Sequence, residues 1–343
     1  MPVSIEDVAK LAKVSISTVS RVLNRRKLVN AKTCARVESA IHALGYRPNA
    51  FARGLMLRKS EILGLVLPDL HGEFYSEIIR GANRQARESS YNLAVSSARD
   101  GDDSQSLLHA IQQRSLFDGV AVMVSEVTDR VQEVLADFGL PFVVLDGDIS
   151  GTAHDSVVID QRHGALAMMR HLVDQCRATR IIFVCGLETN VDTIARLGAY
   201  RQVLAESGLP SGAADVCHLD YEYETAYKFA GRHVREWAGP GHCVFAANDE
   251  MAAGIVAAAA EAGLSVPHDL AVVGFDDTRV ARMTRPPLTT VRVPMSRMGA
   301  RAIDLLCQRI GDPQRPPVRI PLQPELIVRE SCGAALRRLA SSA

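Results

Sequence analysis

From Glu61 onward the chain repeats one rhythm: a short apolar run, a break, then a longer stretch with helical spacing. Ile62–Leu67 is followed by helical periodicity around Tyr75 to Ser89, and further apolar runs stand at Leu93–Val95, Gly119–Met123, Phe142–Leu145, Ile181–Val184, Cys243–Ala246 and Ala271–Phe275. Runs so short and so apolar read as strands buried on both faces, and strands separated by helices are joined by crossovers, which makes their sheets parallel. They suffice for two doubly wound sheets, without any long sequence repeat. In such sheets a ligand crevice lies beyond the carboxyl ends of the strands, which nominates the polar residues Asp69, Asp146, Asn248 and Asp276.

The first sixty residues stand apart from this rhythm. They hold twelve Lys/Arg against three Asp/Glu, a charge of +9, which leaves −9 for the remainder of a 343-residue chain whose formal sum is zero. A basic head on an acidic body points to a polyanion, but charge alone reads no sequence, so the head needs a reading element. Ser4 precedes an apolar pattern at Ile5, Val8, Ala9 and Leu11, with Glu6 and Asp7 in the first turn, which predicts a capped helix over residues 5–12. After Lys13-Val14, Ser15 can cap a second helix that turns Val19, Val22 and Leu23 inward and Ile16, Ser17, Ser20 and Arg21 outward. A third helix begins at Ala31, buries Val37, Ala40, Ile41 and Leu44, and stops at Gly45. Two short helices around a tight turn, braced by a third, make a helix-turn-helix.

Seven scattered cysteines form no C-x-x-C pair and no His lies at metal-ligand spacing, so neither a disulfide framework nor a metal site is expected. The N-terminus lacks the basic and apolar regions of a signal peptide, and no apolar run is long enough to span a bilayer. These features predict a cytoplasmic protein with no membrane contact. No P-loop, G-x-S-x-G or G-x-G-x-x-G motif appears, which argues against an enzyme and against a cofactor.

Two segments of the head, Val14-Ser15-Ile16-Ser17-Thr18-Val19-Ser20-Arg21-Val22-Leu23-Asn24 and Leu44-Gly45-Tyr46-Arg47-Pro48-Asn49, closely resemble the head of the LacI family of transcriptional regulators. Lys13 departs from it where many members have glycine. The resemblance continues through Val157-Val158-Ile159-Asp160, Arg196-Leu197-Gly198-Ala199-Tyr200, Asn248-Asp249-Glu250-Met251-Ala252, Val273-Gly274-Phe275-Asp276-Asp277, Pro286–Val291 and Leu326–Ser331. It implies a three-helix head (1–48), a hinge helix and linker (49–59), and a periplasmic-binding-protein-like core (60–343). Two α/β subdomains make up that core, one from about 60–160 plus 292–320 and the other from about 161–291 plus 321–343.

A recognition helix enters the major groove with its N-terminal residues at base edges, which makes Ile16, Ser17 and Arg21 the expected readers. Ser15, Thr18, Ser20 and Asn24 are expected at phosphates or, alternatively, as helix caps and solvated surface. The resemblance further implies that Leu55 wedges into the minor groove, that Phe51 pairs with the dimer mate, and that Arg53 contacts the groove or backbone. In the core it implies that Arg196, Asn248 and Asp276 grip polar groups of an effector. Phe74 or Tyr75 would form an aromatic wall, with Asp146, Asn190, Asp192 and Asp160 nearby. Gly147, where relatives often carry a larger side chain, suggests a roomier pocket. The function implied is a homodimeric repressor on double-stranded, pseudo-palindromic operator DNA, controlled by a small molecule, with a carbohydrate first, a purine second, and a sugar-binding receptor without DNA function third. The short tail from Gly333 to Ala343 disfavours a coiled-coil tetramer.

Overall fold

The computed structural model describes residues 3–24, 29–46, 59–97, 116–126, 128–147, 154–210 and 212–334. They cluster into two compact units, Met1–Glu61 and Ile62–Ala343.

In the first unit, α1 (Ile5–Ala12), α2 (Ile16–Asn24) and α3 (Ala31–Leu44) enclose one small core around the fully buried Val8, Val19 and Val37. Ser4 and Asp7 cap α1 reciprocally: the Ser4 hydroxyl accepts from the Asp7 amide at 3.3 Å and the Asp7 carboxylate accepts from the Ser4 amide at 2.9 Å. Lys13 ends the helix in the left-handed conformation, φ 51° and ψ 50°, a place where glycine carries no steric cost. Arg36 of α3 donates to the Ala12 and Lys13 carbonyls at 3.0 and 3.3 Å, satisfying part of the exposed helix end. Asn30 caps α3 through the Thr33 amide at 2.8 Å and Gly45 closes it at φ 61°. One expectation fails: Leu11 is 52% exposed and the buried stripe of α1 runs through Val8, Ala9 and Ala12. At 3.6 residues per turn Leu11 lies about 110° round from the centre of that stripe.

The second unit is built on two parallel sheets. The first contains β1 (Ile62–Leu67), β2 (Asn92–Ser97), β3 (Gly119–Met123), β4 (Phe142–Leu145), β5 (Asp155–Ile159) and β11 (Arg319–Leu322), in the order β11-β5-β4-β3-β1-β2. The second contains β6 (Arg180–Cys185), β7 (Val216–His218), β8 (His242–Ala246) and β9 (Ala271–Val273), in the order β7-β6-β8-β9. An antiparallel ribbon of β10 (Thr290–Arg292) and β12 (Glu325–Ile327) completes it. The helices that cover these strands are α4 (Gly72–Glu88), α5 (Asp129–Ala136), α6 (Gln161–Asp174), α7 (Val191–Ser207), α8 (Tyr223–Trp237), α9 (Asp249–Glu261), α10 (Arg279–Met283) and α11 (Met295–Gly311).

The chain passes between the sheets three times, after β5, after β10 and after β11, so neither half is a continuous segment. The return through α11 is held tightly. A Cβ on Gly81 of α4 would lie 1.8 Å from the Ser296 carbonyl oxygen, and one on Gly299 of α11 would lie 2.0 Å from that of Ile78, so these helices meet backbone to backbone. The buried Asp155 carboxylate of β5 accepts from Arg309 and Arg315, both at 2.8 Å; burial opposes its charge, but these donors and the Val318 amide hold the carboxyl below the usual range. No helix among the described residues is long and apolar enough to cross a membrane.

Candidate functional site

The carboxyl ends of both sheets open onto one cleft of about 400 Å³. Asp69 follows β1, Ser125 follows β3 and Asp146 follows β4; from the opposite sheet Asn190 follows β6, Tyr221 follows β7, Asn248 follows β8 and Asp276 follows β9. Phe74, Tyr75, Asp146, Asn190, Asp192, Arg196, Asn248 and Asp276 are all brought together here, with Asp69 at the rim. Asp160 is not; its carboxylate caps α6 through the His163 amide at 2.9 Å and borders a neighbouring cavity. Gly147 also lies outside the lining. A Cβ there would meet Val124 and Val144 at 3.2 Å, so a larger side chain at this position packs into the first sheet rather than filling the cleft.

Arg196 is the only buried cation lining the cleft among the described residues. It rises from α7 at 3% exposure, donating to the Ala247 carbonyl at 2.5 Å, to Gln161 Oε1 through Nη2 at 2.8 Å and Nε at 3.2 Å, and to Asp192 at 3.4 Å. Burial works against its charge, but Asp192, Tyr221, Asp276 and Asp146 around it keep the guanidinium protonated. Gln161 passes the connection on: its Nε2 donates to Asp146 at 3.2 Å, so one glutamine, at the start of α6, joins the arginine of one sheet to the carboxylate of the other. Asp146 takes a second bond from the Ile159 amide at 3.1 Å. Burial and the Asp192 carboxylate push the Asp146 carboxyl well above the ordinary range, and burial likewise raises Asp192.

Asp276 differs from its neighbours. Its side chain is buried, its φ of 109° is rare for any residue but glycine, and its Oδ1 has no hydrogen-bond partner. Burial pushes its carboxyl up to about 7, against the pull of Arg196. The next residue, Asp277, faces three arginines, Arg292 at 2.7 Å, Arg282 at 3.3 Å and Arg329. Burial opposes its charge too, but Arg329 and Arg292 outweigh it and hold the carboxyl low. Asp249, fully buried beneath the cleft, accepts from the Thr278 amide at 2.8 Å and the Thr290 hydroxyl at 2.6 Å. Burial and the Asp276 carboxylate keep it well above the usual range.

Other lining residues have structural duties as well. Asn190 caps α7 through the Asp192 and Thr193 amides, both at 3.0 Å, and accepts from the Tyr221 hydroxyl at 3.1 Å. Asn248 caps α9 through the Met251 amide at 2.8 Å and donates to the Tyr221 carbonyl at the same distance. Asp69 Oδ1 accepts from His71 Nδ1 at 2.7 Å and from the Leu70 and His71 amides, so its own loop occupies it. Phe74 and Tyr75 stand edge to face, 5.3 Å between centroids. Cross-cleft bonds complete the frame: Glu73 accepts from the Arg279 amide at 2.6 Å, Ser125 from the Val191 amide at 3.1 Å and Glu126 from Thr189 at 2.6 Å. Sequence reasoning missed Gln161 and Tyr221; the first residue of a helix and a tyrosine after a three-residue strand carry no local mark of their partners.

In the head, Ile16, Ser17 and Arg21 are exposed on α2, with Ser20 half-buried beside them. The Ser15 hydroxyl accepts from the Thr18 amide at 3.2 Å and also contacts the Ser17 and Thr18 hydroxyls at 2.8 and 2.9 Å, so Ser15 caps the helix and orders its first turn. The Asn24 side chain, Phe51, Arg53 and Leu55 lie outside the described residues.

A helix-turn-helix that presents an arginine, and a separate two-sheet core with a shared polar cleft, define a class: a DNA-binding regulator that responds to a small molecule. Comparison with known proteins agrees. Residues 4–49 match the family described as bacterial regulatory proteins, lacI family, and residues 169–332 match a periplasmic binding protein-like domain. Catabolite control protein A of Priestia megaterium is 37% identical over 310 residues, 89% of this chain and 92% of that one. The ribose operon repressor of Escherichia coli strain K12 is 32% identical over 332 residues, 96% of this chain and 99% of that one. The structure of the lac repressor dimer bound to operator and the anti-inducer ONPF superposes with a TM-score of 0.85 at 27% identity, covering 97% of this chain and 99% of that one. A complex of the transcriptional regulator CelR with cellobiose gives 0.70 at 29% identity, covering 96% and 99%. The chain belongs to the lacI family of bacterial regulatory proteins. It is a DNA-binding transcriptional repressor under small-molecule control.

Proposed function

We propose that this repressor is a cytoplasmic, non-enzymatic homodimer whose cleft takes an uncharged, hydroxyl-rich carbohydrate. The observation that carries this reading is the unpartnered, buried Oδ1 of Asp276. A buried acceptor is costly until a donor reaches it, and a sugar hydroxyl is both donor and acceptor. The surroundings select against anions: Asp146, Asp192 and Asp276 face one arginine, and Glu73, Glu222 and Glu250 also line the cleft. Phe74 and Tyr75 supply an apolar surface for a sugar face. Arg196, Asn190 and Asn248 contribute their remaining donors, and Asp192 and Asp146 accept. Similarity to the ribose operon repressor and to the CelR–cellobiose complex supports this ligand class. A purine is the second reading, supported by the repressor PurR of Proteus mirabilis at 32% identity and by the same aromatic pair.

Residues 1–48 then read each half of a pseudo-palindromic operator through Ile16, Ser17 and Arg21, with Ser15, Thr18, Ser20 and Asn24 at or near phosphates. Residues 49–59 form the tether, where Leu55 is the minor-groove wedge and Arg53 a neighbouring contact. Residues 60–343 bind the effector and dimerise. Effector binding alters cleft closure and so the tether's ability to fold on DNA, a coupling of about 1–3 kcal/mol that must act in both directions. A thermal-shift screen against neutral sugars, sugar acids, sugar phosphates and purines tests the ligand class. The expected result is a rise in melting temperature with a neutral sugar alone; a response confined to phosphorylated or acidic sugars, or to purines, overturns it.

A further inference from the structure

Away from the cleft, His171, Cys176 and Cys332 bring one nitrogen and two sulfurs within 4.8 Å of one another, and all three residues are buried. The His171 Nε2 atom lies 3.4 Å from the Cys332 sulfur and 3.5 Å from the Cys176 sulfur. We propose that these three side chains form a zinc-binding site that ties the end of α6 to the C-terminal segment of the core.

The spacing is that of ligands around a shared ion. With Zn–N near 2.05 Å and Zn–S near 2.3 Å, a tetrahedral angle places nitrogen and sulfur about 3.5 Å apart, the separation found on both edges here. The Cys332 thiol also donates to the Arg329 carbonyl at 3.7 Å, which leaves its sulfur an acceptor on the His171 side. A neutral imidazole nitrogen either accepts or donates one proton, yet two sulfurs converge on the same Nε2. Each donor is fixed by its backbone. The Cys176 amide bonds to the His171 carbonyl at 3.1 Å, a wide turn that tucks Cys176 under the helix end. Cys332 sits in a turn closed by the Gly333 amide on the Glu330 carbonyl at 3.1 Å, and its neighbour Ser331 is bonded to Pro287 and Val272. A contrasting pair shows what a satisfied histidine looks like: His218 Nδ1 lies 3.3 Å from the Cys185 sulfur but donates to the Gly186 carbonyl at 2.8 Å, leaving no position for an ion.

Charge chooses the ion. On binding, both thiols give up their protons to solvent, and Zn²⁺ with two thiolates and a neutral imidazole makes a cluster of zero net charge. Cu⁺ on the same donors would leave a buried negative charge.

The test uses the full-length, reduced chain stripped with chelator. Zn²⁺ is titrated in competition with a chromophoric chelator, Co²⁺ serves as a spectroscopic probe, and Cu⁺ is added anaerobically in a separate arm. The expected result is one tightly held Zn²⁺ per chain and a thiolate-to-cobalt charge-transfer band. Cys176→Ser and Cys332→Ser should each cut that band by about half and weaken zinc binding at least about tenfold, the double substitution should remove the band, and Cys307→Ser should leave both unchanged. Failure of the wild-type chain to hold zinc, a band that survives the double substitution, or stoichiometric uptake of Cu⁺ with no uptake of Zn²⁺ overturns the proposal, and the wild-type arm decides even if a variant folds poorly.

Discussion

The guanidinium carbon of Arg196 lies 3.9 Å from the centroid of the Phe275 ring, so the one buried cation of the cleft is clamped between an aromatic face and the Gln161 and Asp192 side chains. A planar guanidinium can stack and donate sideways together; an ammonium cannot. Arg196→Lys should therefore abolish the effector response, and Arg196→Ala should also destabilise the core by about 3–5 kcal/mol, because carboxylates buried around it lose their compensation. Operator binding without effector should survive in both. Denaturant unfolding and effector titration measure the two effects separately, and an Arg196→Lys protein with undiminished effector affinity contradicts the assignment.

The orphaned Asp276 oxygen makes the cleft sensitive to pH. Its carboxyl titrates at about 7 in the folded chain, above the usual carboxylate range because burial disfavours the charge. A group raised in this way binds more protons folded than unfolded, so its contribution to stability is present at low pH and is lost as pH climbs to about 7. Relative to Asp276→Asn, the wild-type core without effector should lose melting temperature across that interval and run parallel above it. An effector whose hydroxyl donates to the ionised oxygen should bind more tightly as pH rises through 7, and Asp276→Asn should flatten that dependence. Melting curves and titrations over a pH series give both slopes; a flat difference between the two proteins sinks the argument.

Much of this architecture is legible in the sequence. The runs Ile62–Leu67, Gly119–Met123 and Phe142–Leu145 are strands residue for residue, because central parallel strands are apolar on both faces and announce themselves. The expected three-helix head and two parallel sheets are present. What stayed hidden depends on distant chain. β7, β10, β11 and β12 are three or four residues long, at an edge or in a ribbon, and their pairing is set by the neighbouring strand rather than by their own composition. β5 opens on the polar Asp155 and Ser156, and the buried Asp155 is compensated by Arg309 and Arg315, which arrive from α11 and the loop after it. Strand ends point to Asp69, Asp146, Asn248 and Asp276, and the family resemblance to Arg196, Asn190, Asp192, Phe74 and Tyr75, yet Gln161, which joins Asp146 to Arg196, has no sequence mark. The His171, Cys176 and Cys332 cluster escaped for the same reason, since its third member comes 161 residues after the first.

Lys13 offers a test of local strain in the head. Its left-handed backbone costs a side-chain-bearing residue about 1–2 kcal/mol, while the lysine side chain itself is exposed. Lys13→Gly should remove the strain and keep the Arg36 bonds, which use backbone carbonyls. After the added entropy of glycine in the unfolded chain, the net gain should be about 0.5–1 kcal/mol. Amide exchange in α1 and α2 of the full-length chain should slow by about two- to fivefold. Faster exchange would mean that the lysine side chain stabilises the turn in some other way.

Arg21 decides whether α2 reads bases or merely holds phosphates. It is exposed one turn beyond Ser17, on the side of α2 opposite the buried Val19 and Val22, where a guanidinium can present its bidentate fork to guanine O6 and N7. A base-reading contact is worth about 1–3 kcal/mol of discrimination at one position, whereas a phosphate contact weakens all duplexes alike and lowers the salt dependence by about one ion. Arg21→Ala should therefore cut operator affinity, flatten the preference at one symmetric pair of positions, and leave weak binding to random duplex nearly intact. Selection of bound sequences from a randomised pool, with affinities measured at several salt concentrations, separates the two roles. A uniform loss across all sequences with a shallower salt slope would place Arg21 on the backbone and shift base reading to Ile16 and Ser17.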